Sequence, residues 1–402
     1  MSNYKIYKNI LPDCETFVNH YKMSKFNSTP CSYKKILKYN EDVLDYVYAS
    51  CKYGVHGGYK LNYKKGLSFL VMADLHGGYE RLRSAIYYLN KIESLDFGMQ
   101  LGDLQPSGFS DNDGTWFTKL VNKSKKPFYS VVGNHDGGNT NKQGFKGSTQ
   151  QVFDKFFAPT KNTMKLPDLD KTYYSVNYDE YKVTVLVLNN YLQPDDKDEN
   201  GEFIFKRGKD CYNQEQIDFI IKTLKKMPND YHLLIACHSY FEDSETIDCN
   251  FTQQNSTFNV YITKAYEDNN VIATIVDAWV NGKKLDYEVK PLEEYSHYSS
   301  IKVKADFTDK KGAFIGYFTG HVHVDIVGRN KKFPYQNVFA FAAAGDVYHC
   351  CNTDLPRIQG SKSADLLTVC SVDTQNRLVN FVRVGSCITT TMVERKCISI
   401  KY

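Results

Sequence analysis

An α/β fold, with sheets covered by helices, is predicted by three features of this 402-residue chain. From Leu67 onward, short apolar runs alternate with helical patterns, the signature of βαβ units. Several of those runs, such as Leu67–Ala73 (LSFLVMA) and Val183–Leu188 (VTVLVL), are apolar at all but one position and read as buried strands. Apolar residues make up 42% and charged residues 24%, ordinary globular values that exclude disorder and collagen-like repeats.

In chain order, residues 1–65 are polar, rich in Lys and Tyr and interrupted by Gly57-Gly58; they read as an N-terminal extension with a helix around Asn40–Cys51. The strand Leu67–Ala73 is followed by a helix from about Tyr79, with Leu82, Ala85, Ile86 and Leu89 at helical spacing. Phe97–Leu101 and Phe128–Val132 are the next strands, and Thr149–Phe157 reads as a short helix. After Val183–Leu188, Asn213 is placed to cap a helix with Gln216 three residues on; Ile217, Ile220, Ile221 and Leu224 form its apolar face before Pro228. Leu233–Cys237 and Phe314–Phe318 complete the apolar strands, and Val271–Val289 reads as helix then strand. From Val338 come further short strands, including Asp365–Val372 and Leu378–Val384, forming a C-terminal β layer or sheet edge. Polar excursions fall at Gln193–Asp210 and from Ser239 onward.

Fifty basic residues against 46 acidic ones give a formal charge of +4, too mild to indicate nucleic acid or an anionic membrane as partner. No segment approaches the ~20 apolar residues that span a bilayer. The first residues, MSNYKIYKNILPDCETF, lack the apolar region and cleavage site of a secretory signal. The 11 cysteines are odd in number and show no C-x-x-C pairing, so reduced thiols and a cytoplasmic location are expected.

Chemistry concentrates where the apolar strands end. The first ends in Asp74-Leu75-His76, the second in Gly102-Asp103, and the third in Gly133-Asn134-His135-Asp136. Leu233–Cys237 ends at His238, and Phe314–Phe318 leads into Gly320-His321-Val322-His323. Ligand sites in open α/β sheets form outside the carboxyl ends of strands, so these side chains are placed to converge in one crevice. Any one of these pieces is weak, since a G-D after a strand is usually a turn and an H-x-H is compatible with metal without being diagnostic. Five in order, each behind a strand, make a coherent set. Carboxylates, imidazoles and an amide without thiolate suit Mn, Fe or Zn as divalent or trivalent ions, and with Asp103 bridging they suffice for two ions. His20, His56, His232, His297 and His349 read as surface or structural, as do the Tyr-rich pairs Tyr87-Tyr88 and Tyr173-Tyr174.

This ordered set resembles the signature of the calcineurin-like metallophosphoesterase family over roughly residues 67–330. The resemblance implies a four-layer αββα sandwich, here residues 66–402 with an insertion around 239–312, and a two-metal centre. One ion would be held by Asp74, His76, Asp103 and His323, the second by Asp103, Asn134, His238 and His321. A water or hydroxide bridging the ions would attack a phosphomonoester or phosphodiester, as in a phosphatase or phosphodiesterase, with manganese a natural activator. His135 would protonate the leaving group, imidazole being the side chain best suited to proton transfer, and Asp136 beside it would act with it or orient a neighbour. The second motif runs Gly102-Asp103-Leu104-Gln105, without the Asp-Arg-Gly of phosphoprotein phosphatases, which counts against a protein substrate. Two other functions fit less well. A nuclease lacks the expected basic run, and a non-catalytic structural component, for example in a phage particle, would be expected to have lost a ligand.

Overall fold

The structure is a computed structural model and describes residues 55–56, 59–60, 66–105, 111–137, 147–201, 203, 210–240, 244–246, 265–268, 270–345, 365–385 and 397–402. The expected helix at Asn40–Cys51 and most of the extension 1–65 lie outside these. The elements run β1 Val55–His56, β2 Tyr59–Lys60, β3 Leu67–Met72, α1 Tyr79–Lys91, β4 Phe97–Gln100, α2 Asp111–Val121 and β5 Phe128–Ser130. Next come α3 Thr149–Val152, a π-helical turn Phe153–Phe157, a 3₁₀ turn Ala158–Thr160 and α4 Lys161–Met164. They continue with β6 Tyr174–Tyr178, β7 Val183–Val187, α5 Gln214–Lys226, β8 His232–Ala236 and β9 Ser244–Thr246. The last part comprises α6 Val271–Asn281, β10 Lys284–Val289, β11 Ile301–Asp306, β12 Ala313–Thr319, β13 Ile326–Asn330, β14 Asn337–Ala340, β15 Leu366–Asp373, β16 Leu378–Gly385 and β17 Cys397–Lys401.

Two mixed sheets face each other. The first has six strands in the order β17-β16-β15-β3-β4-β5, and the second has seven in the order β6-β7-β8-β12-β14-β13-β9. The motif-bearing strands run parallel to their neighbours, β3 with β4 and β4 with β5 in one sheet, β8 with β12 in the other. Their carboxyl ends therefore share one rim of each sheet. The C-terminal strands take the sheet-edge alternative, since β15 pairs antiparallel with β3, Thr368 opposite Val71.

Side-chain alternation divides the interior. In β8 and the residue after it, Leu234 and Ala236 enter the core between the sheets, while Leu233, Ile235 and Cys237 join a second core on the other face. That second core holds Ile217, Ile220, Ile221 and Leu224 of α5 and Ile272, Ile275 and Val276 of α6. On the far side, α1 lies on β3 and β4 and buries Leu82, Ala85, Ile86 and Leu89. The order is helix, sheet, sheet, helix, the four-layer sandwich the motifs implied. Aromatic rings join the two sheets, with Phe318 of β12 5.8 Å from Phe69 of β3 and Phe97 stacked 5.1 Å from Tyr178.

Local chemistry explains the helix starts. Asn213 caps α5, its Oδ1 accepting from the Gln216 amide at 2.9 Å. Gln216 turns inward instead of closing a capping box, and its side chain pairs with both backbone groups of Asn189 at 2.8 and 3.0 Å. Ser148 and Gln151 close a true capping box ahead of α3. The helical run there extends past the expected Phe157 to Met164, passing through the π turn. The stretch 239–312 contains the buried helix α6 and the hairpin β10–β11. Among the described residues no helix is long and apolar enough to cross a membrane.

Candidate metal centre

Strand ladders extend past the strand ends and place the motif loops against one another. The Asp74 amide donates to Gly102 O at 3.1 Å and the His76 amide to Asp103 O at 2.9 Å, joining the first two motifs. The Gly320 amide donates to His238 O at 2.8 Å, joining the last two. Gly133 and Gly102 permit the close approach. A Cβ on Gly133 would collide with the amide nitrogen and Oδ1 of Asp103, and one on Gly102, where φ is +92°, with the His238 ring.

All nine sequence-predicted site residues gather at this rim. Potential ligand atoms of Asp74, His76, Asp103 and His323 lie within 4.8 Å of one another. His323 Nε2 is 3.2 Å from Asp74 Oδ1 and 3.1 Å from His76 Nε2. A second group centres on the Asn134 amide, whose Oδ1 is 3.1 Å from His238 Nε2 and 3.0 Å from His321 Nδ1. Asp103 stands between the groups. Its Oδ1 accepts the His135 amide at 2.9 Å, leaving Oδ2 at 3.4 Å from both His76 Nε2 and His238 Nε2. His135 sits at the mouth, Nε2 3.9 Å from the same oxygen, its side chain 25% exposed against 1% for Asp103.

The ligand set is held from behind. His238 Nδ1 meets Leu101 O at 2.6 Å, so an N–H sits on Nδ1 and Nε2 faces inward. The His238 amide donates to Asn190 Oδ1 at 2.9 Å, and Asn190 Nδ2 donates to Ser239 O at 2.8 Å. Ser239 in turn bonds Asp210 and Tyr191. The His321 amide donates to both Asp74 oxygens at 3.0 Å. Asp136 is fully buried. Its carboxyl group accepts the amides of Gly133 and Leu104 at 2.7 Å and of Gln105 at 3.3 Å, which ties the two motif loops together out of contact with solvent.

Burial pushes both Asp74 and Asp103 upward, but the imidazoles overcome it. His323 and His238 bring Asp74 below the usual carboxylate range, and His238 and His135 bring Asp103 well below it. Burial also opposes charge on His238, yet Asp103 and Asp74 raise it to about 9. His76 is lowered, chiefly by burial. Burial, reinforced by Asp103, pushes Asp136 up to about 8 against the pull of its amide donors. Buried negative charge ringed by imidazoles favours a cation, and a cation that binds displaces protons from the rings. The donors are oxygen and imidazole nitrogen without thiolate, and they fit a hard or borderline ion; Cys237, next to His238, faces the second core.

The other histidines and tyrosines fall where expected, so far as they are described. His297 is exposed, His232 bonds Tyr402 far from the rim, and Tyr88, Tyr173 and Tyr174 are core residues. His20 and His349 lie outside the described residues, and of His56 only the backbone is described. Gln105, Asn190, Ser239 and Lys155 support the site without having been legible as such, because an amide, a hydroxyl or an amine outside a motif carries no spacing signal.

The model of the calcineurin-like phosphoesterase family matches residues 67–325. The chain belongs to that family, a class of metal-dependent phosphoesterases, and the His/Asp cluster is its candidate metal site. No curated protein matches the chain significantly. Among solved structures it is similar to TT1561 of Thermus thermophilus, at 10% identity and TM-score 0.37 over 84% of this chain and 99% of that one. It is also similar to the purple acid phosphatase PPD1 of yellow lupin, at 12% identity and TM-score 0.41 over 79% of this chain and 51% of that one. A third likeness is to the phosphopantetheinyl hydrolase PptH of Mycobacterium tuberculosis, at 12% identity and TM-score 0.34 over 69% and 90%.

Proposed function

We propose that the protein hydrolyses a phosphomonoester or phosphodiester with two divalent or trivalent cations, Mn, Fe or Zn, held at the rim. Asp74, His76, Asp103 and His323 would hold one, Asp103, Asn134, His238 and His321 the other. The observation that carries this reading is Asp103 Oδ2, equidistant at 3.4 Å from an imidazole of each group, with its partner oxygen tied to a backbone amide. When bound, such a pair of ions supplies electrophilic stabilisation of phosphoryl oxygens and acidifies water.

The chain's own residues do the rest. In the overall reaction a water oxygen bonds to phosphorus, the ester P–O bond breaks, and the leaving oxygen gains a proton. His135 donates that proton, being the partly exposed imidazole at the mouth beside Asp103. Asp136 and Leu101 O keep His135 and His238 in register. The same reading takes 66–402 as one catalytic domain, 1–65 as an extension, and the cytoplasm as location. With Mn²⁺ present, bis-p-nitrophenyl phosphate or p-nitrophenyl phosphate should be hydrolysed; Asp103→Ala should abolish turnover, and His135→Ala should sharply slow turnover of an alkyl ester of the same phosphate. Full activity of Asp103→Ala, or of His135→Ala on the alkyl ester, contradicts the assignment.

A further inference from the structure

Behind His135 lies a chain of contacts that the reaction as described does not use. Gln105 is fully buried, and its Nε2 donates to the main-chain carbonyls of His135 at 3.2 Å and Asp136 at 2.9 Å. The other end of that amide, Oε1, accepts from Lys155 Nζ at 2.9 Å. Lys155 lies in the π-helical turn Phe153–Phe157, an extra-residue turn that re-aims a side chain relative to a regular helix. Its stem passes over Gly114 of α2, where a Cβ would collide with Lys155 Cγ. Three separate features thus converge on one contact: the π turn, the missing side chain at 114 and the oriented Gln105 amide. A lysine that only solubilised a surface would need none of them.

We propose that Lys155 is a positioning residue for the reaction, fixing the Gln105 amide so that it holds the His135-Asp136 turn and aims the His135 imidazole at the leaving oxygen. The charged donor at Oε1 sets which way the amide points, since with Lys155 in place the NH₂ end must face the two carbonyls. Without Lys155 the buried Oε1 loses its charged donor and the amide is held only by its two bonds to the carbonyls, and a proton donor displaced by about 1 Å loses much of its effect.

This proposal rests on His135 as proton donor, and the test separates the two. Esters of a good leaving group such as p-nitrophenol need little protonation, whereas alkyl esters of the same phosphate depend on it. His135→Ala should therefore slow the alkyl ester far more than the p-nitrophenyl ester. Lys155→Met and Gln105→Ala should show the same selectivity in weaker form, with kcat on the alkyl ester down about tenfold, KM and bound Mn²⁺ little changed, and p-nitrophenyl turnover nearly intact. Because Lys155 acts through Gln105, Lys155→Met should add nothing in a Gln105→Ala background. Should Lys155→Met fail to fold, Lys155→Gln replaces it in every comparison. Equal loss on both esters in the Lys155 variants, or additive losses in the double variant, overturns the proposal. Equal loss on both esters in His135→Ala itself overturns the proton-donor reading and this proposal with it.

Discussion

Asp74, His76, Asp103, His321 and His323 all have positive φ, between 45° and 66°, in the left-handed region that side chains avoid. Only three other non-glycine residues among those described share it, namely Lys165, Lys182 and Arg377. Each such residue costs about 1–2 kcal/mol, and the surrounding amides that grip Asp74 and Asp103 keep the backbone there. The strain turns consecutive side chains off the strand ends toward one point, which an extended backbone would send to opposite faces. Steric room is equally tight, so Gly133→Ala should push Asp103 aside, lowering activity by about 100-fold, measurable by steady-state kinetics. Asp136→Asn should cost about 1–3 kcal/mol in urea denaturation, because its NH₂ must face a backbone N–H where a carboxylate oxygen now accepts. The nine candidate residues that the fold brings to one rim were legible because each lies just after an apolar strand. Gln105 and Lys155 were not, since their hydrogen bonds to this region join residues 30 and 50 apart in sequence.

Secondary elements divide in the same way. Strands buried at every position and apolar at all but one, such as β3 and β7, stand out in the sequence because both faces are covered. The strand β11 (IKVKAD) alternates buried and exposed residues, a pattern less conspicuous inside a polar stretch. Helix α2 (DNDGTWFTKLV) carries a glycine and few apolar residues, and only Phe117, Leu120 and Val121 of its apolar residues are buried, while Trp116 is exposed. At the start of β8, His232 Nδ1 lies 2.7 Å from Tyr402 Oη, tying the chain's end to the second sheet. Burial, then Arg377, lowers this imidazole to about 4 from an ordinary 6.5. Between those values the unfolded chain binds more protons, so stability falls as pH drops from about 6.5 to 4. His232→Asn removes this contribution and should flatten that part of the stability–pH curve; an unchanged slope assigns the acid sensitivity elsewhere.

At the scale of the whole molecule, the interface between the sheets carries the fold. Phe318 is fully buried and lies 5.8 Å from Phe69, 5.3 Å from Phe339, 5.7 Å from Phe341 and 6.1 Å from Phe381. Phe318→Ala should destabilise the protein by about 3–5 kcal/mol in urea unfolding, since rings from both sheets lose their common neighbour. Half of the first sheet comes from residues beyond 365, paired onto β3, which leads within four residues to Asp74 and His76. That dependence on the far end of the chain was beyond a sequence reading, because strand order is set by long-range pairing that no local pattern encodes.

The most direct test is a metal count on the purified, Mn²⁺-loaded protein by elemental analysis, combined with electron paramagnetic resonance of the same sample. Two Mn²⁺ per chain with a spin-coupled signal are expected, falling to uncoupled or lost metal in Asp103→Ala. One ion or none per chain, in protein that turns over phosphoesters at its full rate, would contradict a centre shared through Asp103.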